Sequence, residues 1–271
     1  MLKLSLWRTC MFIATYVAVT AVELNAANAT SLTLLSDPIE VTADVDTSGN
    51  YASVQISVHN GPITQLVSTN VQGNSLATIE RTLKRQVTWH DPYLLVHSSC
   101  GSGNAWRCES ETVFKKTDSV VIRLGDLIGT ATEVYKNGHF YDVYDKLEQQ
   151  VDGLSQAASP NFKIVLNDIN SNLTVNAAAT WTVNAAAWTQ RSTDITATHP
   201  EQSWNETEWE HYFSAVVNNA VLARYCQHSD ELQQLLQTVE PELDTYHRRA
   251  LADALSKVVP LERPKAWRKT Y

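Results

Sequence analysis

The chain has 271 residues, 44% of them hydrophobic and 18% charged, enough apolar material for the core of one large domain or two small ones. Its formal charge is −8, and its 21 lysines and arginines are scattered along the chain with no basic stripe, which argues against a nucleic-acid partner.

The first eight residues carry Lys3 and Arg8 without an acid, and Met11 to Val22 is an apolar run of about a dozen residues. A helix crossing a bilayer core needs about 20, and Glu23 and Asn25 interrupt the run before that length. Ala27-Asn28-Ala29 puts small residues at the two positions a signal peptidase must fit. Residues 1 to 29 are therefore expected to be a cleavable secretory signal, cut before Thr30 and taking Cys10 with it. No later segment has the length and apolarity of a membrane span, so a mature chain of about 240 residues, periplasmic or secreted and without a transmembrane segment, is expected.

From Thr30 to about His199 the apolar pattern has mostly a period of two. Ile39, Val41, Ala43 and Val45 alternate with polar residues, and after the turn Thr47-Ser48-Gly49-Asn50 the alternation resumes through Ala52, Val54, Ile56 and Val58, which predicts a hairpin with one buried face. Leu76, Ile79, Leu83 and Val87 mark one face of a helix from Ser75 to Gln86, while Thr78, Thr82 and Thr88 suit strands equally, so both readings stay open. Tyr93 to His97, Val113 to Lys115, Ser119 to Leu124 and Phe162 to Leu166 are short, and several have apolar residues in succession, as strands covered on both faces do. Thr132 to Lys136 and His139 to Tyr144 flank Asn137-Gly138, the dipeptide best suited to a two-residue hairpin turn.

Cys100 and Cys108 bracket a loop with two glycines and an asparagine and are expected to form a disulfide outside the cytosol, worth about 2.5 kcal/mol. Cys226 follows the apolar positions of a helix and reads as a buried free thiol. Val175-Asn176-Ala177-Ala178-Ala179 recurs as Val183-Asn184-Ala185-Ala186-Ala187. A single recurrence does not make a solenoid, and a strand, an alanine-rich turn and a helix from about Trp181 to Ile195 are expected there.

After His199-Pro200 the period becomes helical. Ser203 and Glu206 have capping-box spacing ahead of Trp209, Tyr212, Phe213, Val216, Val217, Ala220 and Val221. A second helix fits Asp230 to Thr238, and a third is expected from Pro241 with Leu243, Tyr246, Ala250, Leu251, Ala254, Leu255 and Val258 on one side. Residues 260 to 271 form a basic, aromatic tail. The predicted architecture is α+β: an antiparallel β-rich body over residues 30 to 199 and a three-helix segment over 200 to 259 packed on it as part of one globular unit.

The stretch richest in chemical side chains offers Trp89, His90, Asp91, His97, Trp106 and Arg107 around the Cys100–Cys108 loop, and these are the candidate binding residues. His90, His97 and His139 lack the spacing of a metal motif, so no metal and no cofactor is expected. Glu208 and His211 lie one helical turn apart as in carboxylate-bridged metal pairs, but the second such pair is not found. No Gly-x-Ser-x-Gly frame surrounds Ser102, and Glu109, Glu111, Asp142 and Asp145 offer carboxylates without a defined separation. Tyr135, Phe140, Tyr141 and Tyr144 read as cross-strand packing or as a stacking surface for a sugar or peptide. Asn172-Leu173-Thr174 and Asn205-Glu206-Thr207 would accept glycans in a eukaryotic host.

The function expected from these features is binding of a protein, peptide or glycan outside the cytosol. The alternatives are an exported hydrolase using His90, Asp91 or His97, and a structural envelope protein.

Overall fold

The computed structural model describes residues 30–47, 51–60, 63–73, 75–99, 109–118, 120–128, 131–144, 151–155, 158–201 and 203–258. The expected signal segment, the Cys100–Cys108 disulfide with Trp106 and Arg107, and the basic tail lie outside the described residues. No helix among the described residues is long and apolar enough to cross a membrane.

Three antiparallel four-stranded sheets follow one another along the chain, and helices cover the last of them, an α+β architecture. The first sheet is a meander of β1 (Thr30–Leu35), β2 (Val41–Asp46), β3 (Ala52–Asn60) and β4 (Ile63–Val71). Val41, Ala43 and Val45 face Val58, Ile56 and Val54 across the expected hairpin. All six are buried, as the period-two pattern demands.

Helix α1 (Leu76–Gln86) then leads into the second sheet, and it resolves the ambiguous segment in favour of a helix. The Ser75 hydroxyl accepts from Thr78 N at its start, and Ile79 and Leu83, one turn apart, are buried against the first sheet.

The second sheet, β5 (Val87–His90), β6 (Tyr93–Ser98), β7 (Ser110–Lys116) and β8 (Val121–Ile128), is a partition between two cores. Leu94 and Val96 of β6 and Phe114 of β7 join the core under the first sheet, whereas Leu95 and Val113 join the core on the other side. Successive apolar residues in one strand are stable because both faces are covered.

The third sheet runs in the order β12-β11-β10-β9, with β9 (Tyr135–Lys136), β10 (His139–Val143), β11 (Lys163–Ile169) and β12 (Asn172–Val175). Asn137 and Gly138 have φ of 53° and 79°, the two positive angles of the expected turn. The strand before it is shorter than expected. Ala131–Val134 form one helical turn, α2, which brings Val134 into the second core. A further turn that the pattern did not announce joins β11 to β12 through Asn170 and Ser171, both at positive φ.

The alanine-rich stretch expected to be a turn is instead the first turn of α3 (Ala177–Ala197), so the helical layer begins well before His199. The two asparagines of the repeated segment do different work. Asn176 caps the helix by accepting from Ala179 N, and Asn184, two turns further on, grips the edge of the sheet. β12 pairs with β11 only from Leu166 to Ile169. Before that point the Asn184 amide takes the place of a strand: its Oδ1 accepts from Lys163 N at 3.2 Å and its Nδ2 donates to Lys163 O at 2.7 Å. The Thr180 hydroxyl accepts from Val165 N at 3.0 Å. Side chains of a helix thus satisfy the open half of a sheet edge.

Helix α4 (Glu206–Tyr225) is buried along most of its length, and α3, α5 (Ser229–Val239) and α6 (Thr245–Lys257) surround it. Its capping box lies two residues beyond the expected Ser203–Glu206 pair. The Asn205 side chain accepts from Glu208 N at 3.1 Å, and Glu208 Oε2 accepts from Asn205 N at 2.8 Å. This frame puts Trp204 just before the cap and Trp209 in the first turn, ring centroids 5.6 Å apart, a hydrophobic staple that a start at Ser203 would break. Asn205→Ala is expected to lower stability by about 1 kcal/mol, read as a fall in melting temperature, and Ser203→Ala to have little effect. Helix α6 begins after Asp244, whose carboxylate accepts from His247 N at 2.8 Å, and not at Pro241 as its apolar pattern suggested.

Candidate functional site

The candidate residues from the sequence go to separate places. Trp89 is half-buried against the first core, and His90 and Asp91 are exposed at the β5–β6 turn, with the His90 ring 5.3 Å from Tyr135. His139 Nδ1 lies 3.2 Å from Asn167 Oδ1. Among the described residues no group of three histidine, cysteine, aspartate or glutamate side chains is arranged to hold a metal. The aromatic hairpin turns inward: Phe140 is buried edge-on to Tyr93 at 4.9 Å, and Tyr144 stacks on Phe162 at 4.5 Å.

His97 has a defined partner. It stands directly across from Glu111 on β7, and its Nδ1 is 2.8 Å from Glu111 Oε1, a carboxylate only 1% exposed. The hydrogen bond to Glu111 raises the His97 pKa above the usual value for imidazole, against a smaller opposite effect of burial. Cys226, at the end of α4, is a buried free thiol, and burial pushes its pKa up to about 12, which makes it unreactive at neutral pH.

A concavity lined from two helices lies elsewhere, between the C-terminal half of α3 and the N-terminal half of α4. It has a volume of about 690 Å³. Arg191, Asp194, Ile195 and Thr198 face it from α3 at helical spacing, and Glu208, His211, Tyr212, Ala215 and Asn218 face it from α4, with Trp204 from the connecting loop. Tyr212 is buried at its wall, and burial together with the Glu242 carboxylate pushes its phenol up to about 12. Ser214 Oγ donates to Ala158 O, and Asn218 Oδ1 accepts from Asn161 N, so α4 is tied to the loop entering β11.

One side chain organises the polar part of the groove. Arg191 is half-buried, which lowers its pKa, and its Nε donates to Asn219 Oδ1 at 2.6 Å. Asn219 is fully buried, and its Nδ2 donates to Trp188 O at 2.9 Å and to Ser192 Oγ at 2.8 Å. Those two bonds fix which end of the amide meets the arginine.

Of the groove residues, the sequence singles out only Glu208 with His211, by their metal-pair spacing, and no motif joins the others. A signal was present: Asn218-Asn219 interrupts the apolar run Val216, Val217, Ala220, Val221 of a helix buried nearly all round, and buried amides require partners. Comparison of the chain with protein-family models, with curated proteins and with solved structures finds no match.

Proposed function

We propose that this is an exported binding protein whose ligand enters the groove between α3 and α4. The observation that carries the reading is the groove itself. Its volume lies within the range of about 300 to 1,000 Å³ usual for small-molecule sites, Ile195, Trp204, Tyr212 and Ala215 give its wall an apolar part, and polar side chains, among them the braced Arg191, line the rest. The export part of the proposal rests on the signal-like first 29 residues. Amino-terminal sequencing of the protein from the exported fraction should begin at Thr30, and a chain that keeps Met1 would refute cleavage.

The groove is tested by filling it. Ala215 is half-buried on its wall, and Ala215→Trp should occupy the space while leaving the fold intact. Small amphipathic compounds that raise the melting temperature of the parent protein should lose that effect in Ala215→Trp. Compounds that stabilise both proteins equally would place binding elsewhere.

The alternative, an exported hydrolase, draws on His97. With Nδ1 held by Glu111, its other ring nitrogen is the one left to exchange a proton with a substrate. A hydrolytic activity of the purified protein would need to fall by about a hundredfold or more in His97→Gln for that reading to replace binding.

A further inference from the structure

We infer that the ligand of the α3–α4 groove is an apolar molecule bearing a single carboxylate, and that Arg191 anchors that carboxylate. The assignment rests on the groove being the binding site. The guanidinium is held by its Nε, which donates to the buried Asn219 oxygen, and Asn219 cannot turn because its NH₂ group is spent on Trp188 and Ser192. Held at Nε, the fork keeps its two terminal amino groups for a partner, and among the described residues no carboxylate lies within ion-pairing distance of them.

The two acids that line the groove with it are engaged elsewhere. Asp194, one turn along α3, accepts from Gln190 Nε2 at 2.9 Å, and Glu208 closes the cap of α4. A partly desolvated arginine without an anion is costly unless a ligand supplies one, and a carboxylate fits the fork through two parallel hydrogen bonds. Ile195, Trp204, Tyr212 and Ala215 provide the surface for the apolar body.

The exposed carboxylates of Asp194 and Glu208 set the charge of the ligand. They stand on the same groove as the one arginine, so a second negative charge on the ligand would meet repulsion, and a monoanion is favoured over a phosphate or nucleotide.

Isothermal titration of the full protein with octanoate, with its uncharged analogue octanamide and with inorganic phosphate tests this. Octanoate should bind about tenfold or more tightly than octanamide. Arg191→Met should reduce octanoate affinity to the level of octanamide and leave octanamide unchanged, and Arg191→Lys should retain part of the difference, with melting temperatures showing that each variant folds. Equal binding of the two probes to the parent and to Arg191→Met overturns the carboxylate anchor and leaves the groove as the binding site. Octanoate binding that survives Ala215→Trp overturns the groove itself. Displacement of octanoate by phosphate, or failure of octanoate to bind the parent, overturns the assignment of an apolar monocarboxylate.

Discussion

Asn184→Ala will lower the stability of the protein by about 2 to 3 kcal/mol, seen as a shift of the urea midpoint with little change in slope. The amide makes hydrogen bonds to Lys163 N, Lys163 O and Thr180 O, and the side chain is 8% exposed. Truncation removes the group that completes the sheet edge and leaves the Lys163 backbone to find water at the helix–sheet contact. Alanine returns about half a kcal/mol through its better helix propensity, which is why the expected loss is less than the sum of three hydrogen bonds. Asn184→Asp keeps one acceptor but introduces a charge where an NH₂ group donated, and it should cost at least as much. A loss below about 0.5 kcal/mol for Asn184→Ala would mean that the Asn184 amide is not what holds α3 on the sheet. Since α3 also carries Arg191, octanoate affinity should fall in step with the loosening of the helix.

The second large effect is expected at His97. His97→Ala takes a hydrogen-bonded imidazole from a carboxylate that is 1% exposed, and should cost about 2 to 3 kcal/mol at pH 6. The pH dependence follows from the raised pKa. In the folded state the proton on His97 is stabilised by Glu111, so this contribution is fully present below the unfolded value of about 6.5 and is lost as pH rises through the higher folded value. The difference in stability between the parent and His97→Ala should therefore shrink from pH 6 upwards. Glu111→Gln, which keeps an acceptor opposite Nδ1 without the charge, should abolish most of that pH dependence. A parent-to-variant difference that stays constant from pH 6 to 9 would show that the pair acts as a neutral hydrogen bond. Urea unfolding at a series of pH values measures both quantities.

The candidate site itself was hardly legible in the residues. The stretch from Trp89 to Cys108 concentrates histidine, tryptophan, arginine and cysteine, yet Trp89, His90, Asp91 and His97, its candidates among the described residues, turn to different surroundings. The groove residues have ordinary neighbours along the chain. Arg191 and Asn219 are 28 residues apart, and nothing short of the packing of α3 on α4 indicates that one holds the other.

What the sequence determined by itself is what depends on near neighbours. The alternation of Val41, Ala43 and Val45 with polar residues specifies one buried face of a strand, Asn137-Gly138 specifies the turn because few other dipeptides tolerate two positive φ angles, and the helical spacing from Trp209 to Val221 specifies α4. Tertiary structure decided what depends on distant partners. The start of α4 moved to Asn205 because a tryptophan staple forms there, the alanine-rich stretch before Trp181 became the first turn of α3, where Asn176 caps it and Thr180 meets an open sheet edge, and two adjacent asparagines became one wall of a groove and the brace of its arginine. Apolar periodicity is a local property of the chain, whereas the satisfaction of a buried polar group is set by whatever the fold brings against it.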